Sequence, residues 1–450
     1  MAKRIIHSLS PLKILVLGFA VVILAGAVLL SLPIATESGE SISFLDALFT
    51  ATSAVCVTGL VVVDTATTFS TFGEGVILLL IQLGGLGFMT FGVLFAIFLG
   101  KRIGVKSRRV LQESFQQRHL QGIVRLTQLV LTITLVVEAV GVFLLSIRWV
   151  PEWGWSKGLY YALFHSVSAF NNAGFDLFGD EKPFSSLSKY VGDPLITLTI
   201  AGLFIIGGLG FVVMTDLIQC YKTRNRRLSL HTKLVLTGTG ILIMMGTLSI
   251  LLVEWANPRT LAHLSWSDKL LASFFQGVTP RTAGFNTLDI AHMYPASQFI
   301  IMMLMFVGAA PSSTGGGIKV TTFVIVLLAA WSMIRGQSDV VTYRRRIPYQ
   351  LVYRALTVFV VSLTLIVTVT ILLTITEHTG LTRALFEVVS ASGTVGMSLN
   401  LTPELTPLGK VLITFTMFAG RLGPLTLAYA LAKRDKQVLI RYPEESPLTG

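Results

Sequence analysis

Ser168-Ala169-Phe170-Asn171-Asn172-Ala173-Gly174-Phe175-Asp176 follows a short apolar run, Leu159–Val167, and its pattern returns three more times along the chain. The other copies are Val57-Thr58-Gly59-Leu60, Thr282-Ala283-Gly284-Phe285 and Thr394-Val395-Gly396-Met397. Their glycines lie 115, 110 and 112 residues apart. Each has an alanine twelve residues before it (Ala47, Ala162, Ala272, Ala384) and a phenylalanine ten before (Phe49, Phe164, Phe274, Phe386). Four matches in register make a fourfold internal repeat, the feature that constrains architecture most.

A glycine after a short apolar helix has a physical use inside a membrane. It accepts a positive φ without steric cost, so successive carbonyls can turn toward one axis and replace the water around a dehydrated cation. The helix before it aims its partly negative C-terminus at the same place. One copy alone reads more simply as a C-cap glycine ending a helix. Four copies in register favour a shared axis.

Composition agrees with a membrane setting. Of 450 residues 53% are hydrophobic and only 13% charged, against about a quarter charged in soluble domains. Cys56 and Cys220 are too few for a disulfide framework, and Cys56 reads as a small apolar residue. The first apolar run, about Pro11–Ile34, is too long for a signal-peptide core and reads as a retained span. The net charge of +12 is not a nucleic-acid signal, because 24 of the 35 basic residues gather at one set of regions. These are Lys101–Arg109 with Arg118 and Arg125, Lys222–Arg227 with Lys233, Arg335 with Arg344–Arg346 and Arg354, Lys433–Lys436, and Lys3, Arg4, Lys13 and Arg441. The regions between hold acids such as Glu37, Asp64, Glu74, Asp176, Asp193 and Asp289. That asymmetry predicts a multi-pass protein with both termini cytoplasmic, whose basic loops attract anionic lipid or an acidic partner.

The fold expected is an all-α polytopic membrane protein of four parallel units around a central pore, each unit span, re-entrant half-helix, glycine loop, span. Unit boundaries fall at residues 1–110, 111–228, 229–346 and 347–450. The half-helices, Ser43–Ser53, Lys157–Ser168, Trp266–Gly277 and Thr382–Ser392, are too short to cross a core of ~30 Å and need burial in protein or a water-filled cavity. Eight spans complete the count: Pro11–Ile34, Glu74–Gly100, Gly122–Trp149, Val191–Tyr221, His231–Trp255, Pro295–Ile334, Leu351–Thr376 and Pro407–Ala432.

The second spans carry a repeat of their own. Gly84-Gly85-Leu86-Gly87-Phe88 and Gly207-Gly208-Leu209-Gly210-Phe211 read as close-packing surfaces. In the third unit the span is interrupted by Gly308 to Thr322, with Pro311, Gly315, Gly316, Gly317 and Lys319. Such a segment belongs against a water-filled cavity, either as a loop gating the pore or as a kink packed between helices. In the fourth unit Arg421 stands mid-span, where a charge faces the bundle interior. It is either a tie to Glu387 or to carbonyls, or an electrostatic barrier near the ion path. Arg281, beside the third glycine loop, is expected to point behind the loop and pin it. Glu138 and Asp216 are isolated intramembrane acids, read as paired or interface-facing carboxylates ahead of a proton relay. The histidines show no metal spacing, and no nucleophile–base set or nucleotide motif marks an enzyme.

Taken together, Ala173-Gly174-Phe175, Thr282-Ala283-Gly284-Phe285-Asn286, the broken span and Gly420-Arg421-Leu422-Gly423-Pro424 resemble the TrkH/HKT/Ktr superfamily of potassium transporters, most closely its Ktr-type membrane subunits from bacteria. The resemblance covers essentially the whole chain. It implies K⁺ uptake across the cell membrane, sometimes Na⁺-dependent, through a filter of Val57-Thr58-Gly59, Asn172-Ala173-Gly174, Thr282-Ala283-Gly284 and Thr394-Val395-Gly396 backbone carbonyls. It implies a gate built from the intramembrane loop, with Gly308, Pro311, Gly315–Gly317 and Lys319, and from Arg421 below the filter. It also implies a homodimer with one pore per subunit, controlled by a separate cytosolic ring of nucleotide-binding RCK-type subunits. Relatives with serine at the first filter position favour Na⁺, so Gly59 points to K⁺. The rival reading is the ion-binding subunit of an ATP-driven pump.

Overall fold

The structure, a computed structural model, describes residues 11–87, 109, 111–112, 123–179, 183–223, 227–424 and 426–427. Both termini, the Lys433–Lys436 cluster, most of Lys101–Arg109 and the end of the first unit's second span lie outside the described residues.

The first unit comprises α1 (Pro11–Leu30), α2 (Phe44–Cys56) and α3 (Thr71–Leu86). The second comprises α4 (Ile123–Phe170), α5 (Pro194–Leu209) and α6 (Phe211–Thr223), the third α7 (Leu230–Glu254), α8 (Trp266–Val278), α9 (Pro295–Phe306) and α10 (Val320–Ile334). A two-stranded hairpin, β1 (Val341–Thr342) with β2 (Arg345–Arg346), leads to α11 (Tyr349–Glu377), α12 (Leu381–Gly393) and α13 (Pro407–Leu422).

Two of the short helices begin where hydroxyls cap them. Ser43 Oγ accepts the Asp46 amide and Ser265 Oγ the Asp268 amide, and both hydroxyls also donate to those aspartates. In the second unit α4 is two helices that meet at a kink, Gly154 with φ 79° and ψ 170°, and the part beyond the kink, ending at Phe170, is the half-helix expected over Lys157–Ser168. Ser70, Asp193 and Thr406 cap α3, α5 and α13 in the same way, with Pro194 and Pro407 in the first turn.

Burial separates two kinds of helix. From Ala47 to Cys56 in α2 nearly every residue is buried, and so is Phe386–Gly393 in α12, the mark of a helix enclosed by protein on all sides. The long helices instead turn apolar side chains outward, among them Leu17, Val140, Met244 and Ile371, as lipid-facing helices do. The second helix of each unit packs on the half-helix segment of the next: α3 on α4, α5 on α8, α9 on α12, and α13 back on α2. The last contact closes a ring of four.

Two expectations change. The second spans are not continuous apolar helices broken only in the third unit. α3, α5 and α13 each stop after 16 residues at a left-handed glycine, Gly87, Gly210 and Gly423, with φ of 80°, 87° and 84°. A 16-residue helix is about 24 Å long, short of a ~30 Å core. After Gly210 the chain turns 94° into α6. By length and composition α1, α4, α7 and α11 can cross a membrane, with α5–α6 a fifth if the bent pair counts as one. The interruption in the third unit also ends sooner than expected, because Val320 opens α10 and Thr321 and Thr322 are helical.

Candidate functional site

The four repeat glycines meet at the centre of the ring. Gly59, Gly174, Gly284 and Gly396 have φ of 88°, 70°, 80° and 94°. A Cβ on Gly59 would lie 2.5 Å from the Ala173 carbonyl oxygen. The same test takes Gly174 to Ala283 (2.8 Å), Gly284 to Val395 (2.4 Å) and Gly396 to Thr58 (2.3 Å). Each segment therefore leans a carbonyl on the preceding segment's bare α-carbon, in chain order, until the circle closes. Two residues before each glycine the backbone is left-handed as well, at Val57 (50°), Asn172 (60°), Thr282 (69°) and Thr394 (51°). A positive φ in β-branched residues such as Val57 and Thr394 is a genuine outlier, at a cost of roughly 1–3 kcal/mol each. Strain repeated at four equivalent places is what an array of inward carbonyls requires.

Hydroxyls brace these segments from behind. Ser53 Oγ accepts the Gly59 amide at 3.0 Å and Ser390 Oγ the Gly396 amide at 3.1 Å. Ser168 Oγ and Thr279 Oγ1 donate to the Phe175 and Phe285 carbonyls, each at 2.7 Å. Reading the sequence missed these four residues, although their signal was present: a hydroxyl five or six positions before every repeat glycine.

Directly beneath the ring lies the segment 307–319. Its Gly308 amide bonds to Ile318 O, closing the segment on itself. Ala310 N and Thr314 N donate to Gly208 O and Gly207 O, Ser312 O accepts the Phe211 amide, and Gly317 N donates to Gly420 O. Toward the ring, Thr314 Oγ1 donates to Asn172 Oδ1 (2.9 Å) and Gly316 N to Thr394 Oγ1 (2.9 Å). Lys319 Nζ holds Gly315 O at 2.7 Å. Arg421 donates to the carbonyls of Thr314 and Gly84, and to Gly85 O at 3.2 Å. The guanidinium thus spans from the segment to the first unit. Of the two partners considered for a structural tie, the carbonyls hold it and Glu387 does not; Glu387 accepts from Ser398 Oγ and Thr402 Oγ1. Arg281 turns away from the axis, its Nη2 3.4 Å from Thr239 Oγ1 of α7. Glu138 is paired with Gln82 and Asn171, and Asp216 with Ser229 and Thr232.

Openings stand on both sides of this segment. The outer cleft, about 100 Å³, is floored by the four glycines and lined by Asp64, Asp176, Asn286 and Ser398. A larger cavity, about 520 Å³, opens below at Gly317, Lys319, Arg354 and Arg421. Among the described residues no group of three histidine, cysteine or acidic side chains is placed to hold a metal.

The family profile described as "TrkH: Cation transport protein" matches residues 12–440. The chain belongs to the TrkH family of cation transport proteins. As such it is a transporter and not an enzyme. Curated relatives in the family are similar over nearly their whole length. Ktr system potassium uptake protein B of Bacillus subtilis (strain 168) is 47% identical over 98% of this chain and 97% of its own. Ktr system potassium uptake protein B of Vibrio alginolyticus is 44% identical over 97% and 94%. Potassium/sodium uptake protein NtpJ of Enterococcus hirae is 39% identical over 100% and 99%. The crystal structure of the potassium transporter TrkH from Vibrio parahaemolyticus superposes with a TM-score of 0.69, covering 92% of this chain and 84% of its own at 19% identity. The all-helical TrkH fold is therefore shared at low sequence identity.

Within the outer cleft Asp176 is the residue with most consequence. It sits in the loop beyond the second glycine, outside the spanning helices, and its Oδ1 accepts the Phe178 amide at 3.1 Å. Burial pushes its carboxyl up to about 7, against that amide bond and with help from the nearby Asp64. The carboxylate charge is present above that pH and lost below it. Lowering the external pH from about 8 to about 6, across a range where an ordinary aspartate stays ionised, is expected to raise the cation concentration needed for half-maximal uptake several-fold. Asp176→Asn should flatten that pH dependence; a profile unchanged by the substitution removes Asp176 from the cation's approach.

Proposed function

We propose that the chain conducts K⁺ into a bacterial cell across its plasma membrane, through a filter made by the carbonyls of residues 57–59, 172–174, 282–284 and 394–396. The observation that carries the reading is the closed circle of four left-handed glycine segments around one axis. Carbonyl rings of this kind replace a cation's hydration shell. An inside-negative potential, contributing ~2.3 kcal/mol per charge per 100 mV, supplies the inward driving force. The names of the relatives support K⁺ in particular, and that of NtpJ supports a role for Na⁺.

In this reading the four units are residues 1–110, 111–228, 229–346 and 347–450, giving eight crossings with both termini in the cytoplasm. The segment beneath the filter is the gate, with Gly308, Pro311, Gly315, Gly316 and Gly317 as its pliant backbone and Lys319 and Arg421 as its pins. The seated segment, bonded to the second and fourth units and joined to the first through Arg421, is the closed state. The subunit works as a homodimer, and nucleotide control comes in trans from an RCK-type ring; the relatives' names, which place a protein B in a Ktr system, support a separate partner subunit. Na⁺ dependence is part of the same proposal.

Expression in a K⁺-uptake-deficient bacterium is expected to restore growth on limiting K⁺, more fully with a cytosolic nucleotide-binding partner than without. Collapsing the membrane potential while ATP remains should abolish uptake. Uptake that persists under those conditions would identify the subunit of an ATP-driven pump instead.

A further inference from the structure

The filter residues two before each glycine do more than turn the backbone. Three of the four, Asn172, Thr282 and Thr394, carry polar side chains, all completely buried. Buried polar groups need partners, and here the partners come from the segment below. Asn172 Oδ1 accepts from Thr314 Oγ1, while Asn172 Nδ2 donates to Thr282 Oγ1 at 3.1 Å, joining the second filter strand to the third. Thr394 Oγ1 accepts the Gly316 amide. The glycines of the segment are pressed onto the same side chains: a Cβ on Gly315 would lie 2.3 Å from Thr282 Oγ1, and one on Gly316 2.5 Å from Thr394 Oγ1. Only the first filter strand, with Val57, offers no polar side chain at this level.

We infer that Asn172, Thr282 and Thr394 are a latch that couples the intramembrane segment to the inner end of the filter, so that unseating the segment changes ion selectivity along with flux. The inference rests on the filter reading above and deepens it. With the segment seated, Thr314 and Gly316 satisfy Asn172 and Thr394 and hold three left-handed residues in place. With the segment withdrawn, those acceptors lose their donors, and their side chains must rotate toward water or the ion. The inner filter is then a different ligand in the open and closed states. Coupling between two sites is reciprocal, so the ion in the filter must in turn bias the position of the segment. Asn172 is a positioning residue in this scheme, acting on the ion through the backbone it fixes.

The test uses purified full-length protein in liposomes, measuring K⁺ and Na⁺ flux side by side. Thr314→Val keeps the shape of the side chain and removes the one hydroxyl. It is expected to raise flux and to lower the K⁺/Na⁺ ratio, each by roughly two- to tenfold, the range one hydrogen bond carries. Thr314→Ser should restore both. Asn172→Ala combined with Thr314→Val should change both quantities by less than the sum of the two single effects, because the two residues share one interaction. Raised flux with an unchanged ratio overturns the latch and leaves the filter proposal standing; absence of cation flux in the unaltered protein overturns the filter proposal itself. Should the variants fail to fold, amide hydrogen exchange on the unaltered protein decides: protection of residues 308–319 should differ between K⁺ and Na⁺, and equal protection in the two ions rejects the coupling.

Discussion

Replacing Gly59 with serine is expected to lower the preference for K⁺ over Na⁺ by roughly tenfold, equivalent to about 1.4 kcal/mol in relative barrier. Two independent features of the position lead there. Its φ of 88° is one that a residue with a Cβ adopts only under strain. The Cβ itself would stand 2.5 Å from the Ala173 carbonyl oxygen and 3.2 Å from the Gly174 Cα. Both neighbours are backbone and cannot swing aside as a flexible side chain would. The first strand must therefore move off its brace at Ser53, or the second must yield, and either movement spoils the spacing that lets carbonyls stand in for water. A smaller and more strongly hydrated ion loses less when one side of the ring withdraws, because it keeps more of its own water. The measurement is the ratio of K⁺ to Na⁺ uptake at matched expression, with thermal unfolding of the purified protein as a control for folding. Unchanged selectivity in a folded variant would remove Gly59 from the filter.

The strength of this expectation reflects how much of the centre was legible in the sequence. Periodic matches at fixed offsets from four glycines located the ring, and the alanine offset has a structural counterpart: Ala47, Ala162, Ala272 and Ala384 are all completely buried. The half-helices were placed to within a few residues, as Phe44–Cys56 for Ser43–Ser53 and Leu381–Gly393 for Thr382–Ser392. What sequence did not show was direction. Gly84-Gly85-Leu86-Gly87 and Gly207-Gly208-Leu209-Gly210 read as packing surfaces, and in part they are: a Cβ on Gly84 or Gly207 would lie 1.9 Å from Val55 O or Phe170 O. The last glycine of each run does a second job by ending the helix, and an apolar run that stops and turns 94° looks the same in composition as one that continues. Partnerships across repeats were equally hidden. Asn172 to Thr314 is a separation of 142 residues, and no periodicity within either segment announces the pair.

Arg421 poses the choice that sequence left open, between a tie and a charge barrier, and its geometry predicts how the two separate. The guanidinium reaches three carbonyls belonging to two elements, Thr314 of the segment 307–319 and Gly84 and Gly85 of α3. A planar fork with several fixed donors can do this, whereas an ammonium is a compact point charge on a flexible stem. If Arg421 acts as a tie, Arg421→Gln and Arg421→Lys should both raise maximal K⁺ flux several-fold, because neither can hold three separated carbonyls at once. If it acts as a barrier, Arg421→Gln should raise flux while Arg421→Lys, which keeps the charge, should leave it low. The structure favours the tie, since each contact is made to backbone oxygen and one of them to the segment beneath the ring. A buried charge whose partners are lost is itself costly, so an opened segment must offer Arg421 water from the cavity below, which Arg421 already lines together with Lys319 and Gly317. High flux in the glutamine variant beside wild-type flux in the lysine variant would overturn the tie and assign Arg421 to the ion's electrostatic path.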